Sequence, residues 1–92
     1  MALQMSYTAE DGAVYPQCYI VVSAIVLSPH GATICTNYYA DESVFVAGGL
    51  PLVQPAYPAE LSLYDTGPAF DVTYAHLLAL PEFAGAVIVR DN

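Results

Sequence analysis

Gln17-Cys18-Tyr19-Ile20-Val21-Val22-Ser23-Ala24-Ile25-Val26-Leu27, then Ser28-Pro29-His30-Gly31, then Ala32-Thr33-Ile34-Cys35-Thr36-Asn37-Tyr38-Tyr39-Ala40 is the stretch on which the fold turns. Val, Ile and Tyr dominate its first part, and these residues suit a pleated, half-buried backbone. The apolar run is too short for a membrane helix, which needs about 20 residues. Pro at the second and Gly at the fourth position of Ser28–Gly31 suit a type I turn. The reading is a long antiparallel hairpin, strand 17–27 against strand 32–40, with a four-residue connection. If Leu27 faces Ala32, then Ile25 meets Ile34 and Ala24 meets Cys35. One face holds Tyr19, Val21, Ser23, Ile25 and Leu27 with Ile34, Thr36 and Tyr38. The other holds Cys18, Ile20, Val22, Ala24 and Val26 with Thr33, Cys35, Asn37 and Tyr39. Neither face carries a charge.

Upstream of the hairpin, residues 1–16 read as irregular, with Glu10-Asp11-Gly12 as a turn signal and Pro16 opening the first strong element. Downstream, Asp41-Glu42-Ser43 offers an N-cap with acid in the first turn, and Gly48-Gly49 offers a stop. A short helical turn over 42–47 follows, although Val44, Phe45 and Val46 would equally suit a strand. Pro51, Pro55 and Pro58 keep 50–58 extended, over a surface or along an edge, because proline cannot donate to a central ladder. Ala59–Tyr64 alternates in the manner of a half-buried strand. After Asp65-Thr66-Gly67, Pro68 fits a first helical position with Gly67 or Thr66 as cap, and Asp71 favours the positive end of the dipole. Phe70, Tyr74, Leu77 and Leu78 then form one apolar stripe until Pro81, which predicts a helix over 68–80. Its far side, Ala69, Val72, Thr73, His76, Ala79 and Leu80, holds no Lys, Arg or Glu. Ala86–Val89 is a last short strand. The fold class is α+β, a single domain over 1–92: a small antiparallel sheet built on the long hairpin, with the helix packed on one face.

Composition narrows the function. Hydrophobic residues are 57% of the 92 and charged residues only 11%, which excludes intrinsic disorder. Nine acidic residues against one basic residue, Arg90, leave a net charge of −8 that cannot neutralise phosphates. Nucleic acid and anionic membrane surfaces are thereby excluded as partners. Met1-Ala2-Leu3-Gln4-Met5 has no basic segment and no long apolar run behind it, so it does not read as a secretory signal and points to synthesis in a cytosol.

No catalytic or cofactor-binding constellation stands out. In the hairpin register, Cys18 and Cys35 lie about 20 Å apart at the usual strand rise, too far for a bridge, and read as free thiols. His30 sits in a turn, and His76 has no His, Asp or Glu one helical turn away, so metal-ligand spacing is absent. Nothing places Cys35, His76 and an acid together as a nucleophilic set. Gly48-Gly49 belongs to no phosphate-binding spacing and has no Lys beside it. The eight tyrosines are the larger signal, since Tyr offers rigid contact area with a polar tip. Tyr38, Tyr39 and Tyr57 suit an interface and a core equally, and Tyr74 suits the core.

One helix covers one face of a short sheet, which leaves a second apolar face for something outside the chain. The sequence therefore predicts a permanent assembly, held by Ile20, Val22 and Tyr39 on one sheet face, by Tyr57, and by Val72, His76 and Leu80 on the back of the helix. The opposite face, with Val21, Ile25 and Tyr38, would take Phe70, Tyr74 and Leu77 as internal core.

Two stretches carry a resemblance. Asp65-Thr66-Gly67-Pro68-Ala69-Phe70 with Tyr74-Ala75-His76-Leu77-Leu78-Ala79-Leu80-Pro81-Glu82-Phe83-Ala84-Gly85-Ala86 resembles the C-terminal end of small structural proteins encoded among the tail genes of tailed bacteriophages. Tyr39-Ala40-Asp41 leading to Gly48-Gly49-Leu50-Pro51-Leu52 is similar to their middle. The resemblance implies a virion part made in the host cytoplasm, most simply in the tail or baseplate, that binds other virion proteins or copies of itself. It implies no active site and no cofactor. A capsid decoration protein has the same composition, and a small binding module with an apolar ligand groove is the alternative from another class.

Overall fold

Strand β1 spans Ala2–Thr8, β2 Val14–Ser28, β3 Gly31–Tyr39, helix α1 Glu42–Val46, β4 Ala56–Ala59, helix α2 Ala69–Leu78 and β5 Val87–Val89, with 3-10 turns at Leu61–Asp65 and Pro81–Phe83. These elements come from a computed structural model that describes residues 2–65, 67 and 69–89. The strands form one antiparallel sheet in the order β4-β3-β2-β1-β5, so the β2–β3 hairpin is its centre. The α+β class and the long hairpin are as the sequence predicts. The connection is tighter: Ser28 pairs with Gly31, leaving Pro29-His30 as the loop.

The register begins as read, with Leu27 opposite Ala32, Ile25 opposite Ile34 and Ala24 opposite Cys35, and then slips. Val22 faces Thr36, so Ser23 is an extra residue on β2, a β-bulge whose hydroxyl donates to the Cys35 carbonyl at 3.2 Å. Because strand faces alternate with period two, one inserted residue moves everything before it to the other face. Ile20 and Val22 therefore share a face with Ile25, Ile34 and Tyr38, and Tyr19 and Val21 turn away.

Helix α2 covers the face of Ile20 and Val22. Tyr74, Leu77 and Phe83 join Leu3, Cys18, Ile20, Val22, Ile34 and Tyr38 in the main core. The expected stripe is partly corrected: Tyr74 and Leu77 are buried, whereas Phe70 is 53% exposed. Thr73, read as part of the back of the helix, is buried, donates its single hydroxyl proton to the Ala69 carbonyl and lies within hydrogen-bond distance of the Tyr64 hydroxyl. Thr66 and Pro68, the expected cap and first helical residue, lie outside the described residues.

Three further expectations meet the structure. Residues 2–8 are a strand and not irregular, with Leu3, Met5 and Tyr7 facing the core. The strand expected over 59–64 is instead a 3-10 turn beyond Ala59. The reason is the end of the template: Ala59 pairs with Ala32, next to the first residue of β3, and further chain has nothing to pair with. The helical turn near 42–47 is present as α1, where the Asp41 carboxylate accepts from the Val44 N–H and the Ser43 hydroxyl. These donors hold its pKa below the usual carboxylate value.

Candidate functional site

The seven residues expected at an interface separate into different environments. Ile20 and Val22 are corrected: both lie under α2 in the main core, 0% and 5% exposed, and cannot form an outer surface. Tyr39 lies on the opposite face but is corrected as well: it is buried, in a small second cluster with Ala2 and Tyr19, where α1 closes over one end of the sheet. Its ring stands 5.2 Å from that of Phe45, and Tyr19 packs on the same Phe45 at 5.4 Å. Tyr57 is half-buried on β4, with its hydroxyl 2.5 Å from that of Tyr38 and its ring edge-on to Phe83. Leu80 is half-buried against the main core. Val72 and His76 are half-buried on α2.

His76 stands at a groove that the sequence did not single out. Pro58, Ala59, Glu60, Ser62 and Leu63 line it with His76, around about 560 Å³ of space. The 3-10 turn that replaces the expected strand builds one wall. The His76 Nε2 atom is buried without a hydrogen-bond partner among the described residues. A second groove of about 390 Å³ lies between β1, β3 and β4, lined by Met5, Tyr7, Tyr38, Val53, Pro55, Tyr57 and Glu82. Its wall is an aromatic cluster, with Tyr7 edge-on to Tyr38 at 5.2 Å. Burial, together with the hydrogen bond to Tyr57, raises the Tyr38 pKa, so this hydroxyl stays protonated and is no general base at neutral pH.

Cys18 and Cys35 are both free, Cys18 buried and Cys35 half-buried. Burial pushes the Cys18 thiol up to about 11, which removes its thiolate at neutral pH and with it the nucleophile. Among the described residues no group of three or more His, Cys, Asp or Glu could hold a metal ion, and no helix is long and apolar enough to cross a membrane.

The open surface is more distinctive than either groove. Val26 and Leu27 on β2, Val46 and Leu50 around the end of α1, Phe70 on α2 and Val87 on β5 are all exposed, Leu50 by 87%. The hairpin faces are polar only through uncharged side chains, since Gly12–Ala40 contains no Asp, Glu, Lys or Arg. No protein family matches the chain, and no curated protein or solved structure does either.

Proposed function

We propose that this chain is a non-enzymatic structural subunit of a permanent protein assembly, a tail or baseplate component of a bacteriophage virion. The observation that carries the assembly reading is the exposed apolar set of Val26, Leu27, Val46, Leu50, Phe70 and Val87 on a domain this small. The surface that meets the partner differs from the one first read. Ile20 and Val22 serve the internal core, and the edge of the hairpin and the α1 end replace them. The phage assignment rests on the resemblance of 39–52 and 65–86 to small tail-gene proteins, and a capsid decoration role stands beside it. Mass spectrometry of purified phage particles encoding the chain tests it: recovery at a fixed ratio to the major tail or capsid protein supports the reading, and absence from washed particles overturns it.

The second reading is a small binding module, favoured by the His76 nitrogen, which has no partner among the described residues, beside the groove of about 560 Å³. Light scattering separates the two. A soluble, well-folded monomer at all concentrations supports the module, and self-association or co-purification with particles supports the subunit.

A further inference from the structure

Tyrosines from separate parts of the chain meet at the groove of about 390 Å³: Tyr7 on β1, Tyr38 on β3 and Tyr57 on β4. The Tyr7 and Tyr38 rings stand 5.2 Å apart at 79°, so two aromatic walls meet at nearly a right angle. The Tyr38 and Tyr57 hydroxyls touch at 2.5 Å, and the buried Phe83 packs edge-on against Tyr57 at 5.3 Å and fixes that ring.

The other side of the groove is equally fixed. Val53 and Pro55 are tied to β3 through the backbone: the Tyr38 N–H donates to the Val53 carbonyl at 3.0 Å, and the Thr36 N–H to the Pro55 carbonyl at 3.1 Å. The Thr36 hydroxyl donates to that same Pro55 carbonyl at 2.6 Å. A cavity formed in advance spares a ligand the cost of ordering its walls. Ligand pockets run from about 300 to 1,000 Å³, so this one suits a small occupant.

The charge in the groove selects that occupant. Glu82 lines it from the 3-10 turn at Pro81–Phe83, which the 1% exposed Phe83 anchors to the core. No described residue is Lys or Arg, and neither histidine lines the groove, so no described cation answers this carboxylate. Strand β5 runs away from the groove, from Val87 beside Gln4 to Val89 beside Ala2. Burial raises the Tyr57 pKa, and the Glu82 charge adds to the rise, which makes the carboxylate a near neighbour of that ring.

Aromatic faces carry negative potential and attract cations, most strongly where water is excluded. An anion would meet Glu82 and the ring faces, and a hard metal ion would find a single carboxylate in a set of apolar and phenolic walls. We propose that this groove binds a small organic cation, an alkylated ammonium group seated among the Tyr7, Tyr38 and Tyr57 rings with its charge toward Glu82. The site goes beyond the assembly reading and does not depend on it.

Titration of the full chain with choline, followed by NMR, tests this. The neutral probe of the same shape is the alcohol in which a tert-butyl group replaces the trimethylammonium. The expected result is saturable binding of choline, with NOEs from its methyl groups to the Tyr7 and Tyr57 rings, and at least about fivefold weaker binding of the alcohol. Glu82→Gln, at an exposed position, should weaken choline about threefold or more and leave the alcohol unchanged. Tyr7→Leu should abolish choline binding in a chain whose circular dichroism spectrum is native, and if that variant fails to fold, Glu82→Gln decides. Equal binding of the two probes overturns the proposal and leaves an apolar pocket. So do the absence of a saturable response to choline, a response that maps away from the three rings, and unchanged choline affinity in Glu82→Gln. None of these outcomes bears on recovery of the chain from particles, so the assembly reading stands or falls separately.

Discussion

The hydroxyl of Tyr74 accepts a hydrogen bond from the backbone N–H of Val22 at 2.9 Å, tying helix α2 to the strand just before its bulge. The contact lies where the described β1 ladder has ended, and it satisfies a buried donor that no described strand reaches. Removing only the oxygen, by Tyr74→Phe, leaves that donor unpaired in the core. Stability should fall by about 1–3 kcal/mol, measured by denaturant titration. A change within error would show that water or another group takes its place.

The bulge determines which side of β2 tolerates charge. Val22→Asp places a carboxylate in the core under Tyr74 and Leu77, and should lower stability by more than about 3 kcal/mol. Val21→Asp, on the half-covered opposite face, should cost about 1 kcal/mol. Thermal melts of the two variants check the order. The reverse order would place the bulge elsewhere in the strand.

Along α2, truncation should separate the buried stripe from the exposed one. Leu77→Ala opens a cavity at a fully buried position and should cost about 2–5 kcal/mol. Phe70→Ala, at a mostly exposed position, should cost less than about 1 kcal/mol in the isolated chain. Equal losses would mean that Phe70 is packed in solution.

Thiol chemistry reports on the core. Alkylation without reductant should label Cys35 in the native protein and Cys18 only after denaturation, giving two labels in total. The pH dependence follows from the same burial. The Cys18 pKa is raised in the folded state from 9.0 to about 11, so the neutral thiol is favoured by folding. Its contribution to stability is complete below 9.0 and is lost as pH rises through about 11. A Cys18→Ala variant should lose stability less steeply over that interval, as read from denaturation midpoints. Identical slopes would place the alkaline sensitivity in other groups.

Local patterning alone determined much of this protein. The Val- and Ile-rich run, the Ser28–Gly31 turn, the Asp41 cap and the proline spacing at 51–58 place the hairpin, α1 and an edge segment, because each depends on residues a few positions apart. Strand β1 escapes that reading, which takes residues 1–16 as irregular, although Leu3, Met5 and Tyr7 alternate with Gln4, Ser6 and Thr8. The tertiary structure decided the rest. A single unpaired residue at Ser23 has no periodic signature, yet it moved Ile20 and Val22 from the expected interface into the core, because strand faces alternate with period two and a slip of one inverts them. The groove at His76 likewise has no sequence signal: it exists because β3 begins at Gly31, the chain must turn after Ala59, and that turn comes to rest beside α2. Periodicity shows that a segment has two faces, and only packing against the rest of the chain selects which one is buried.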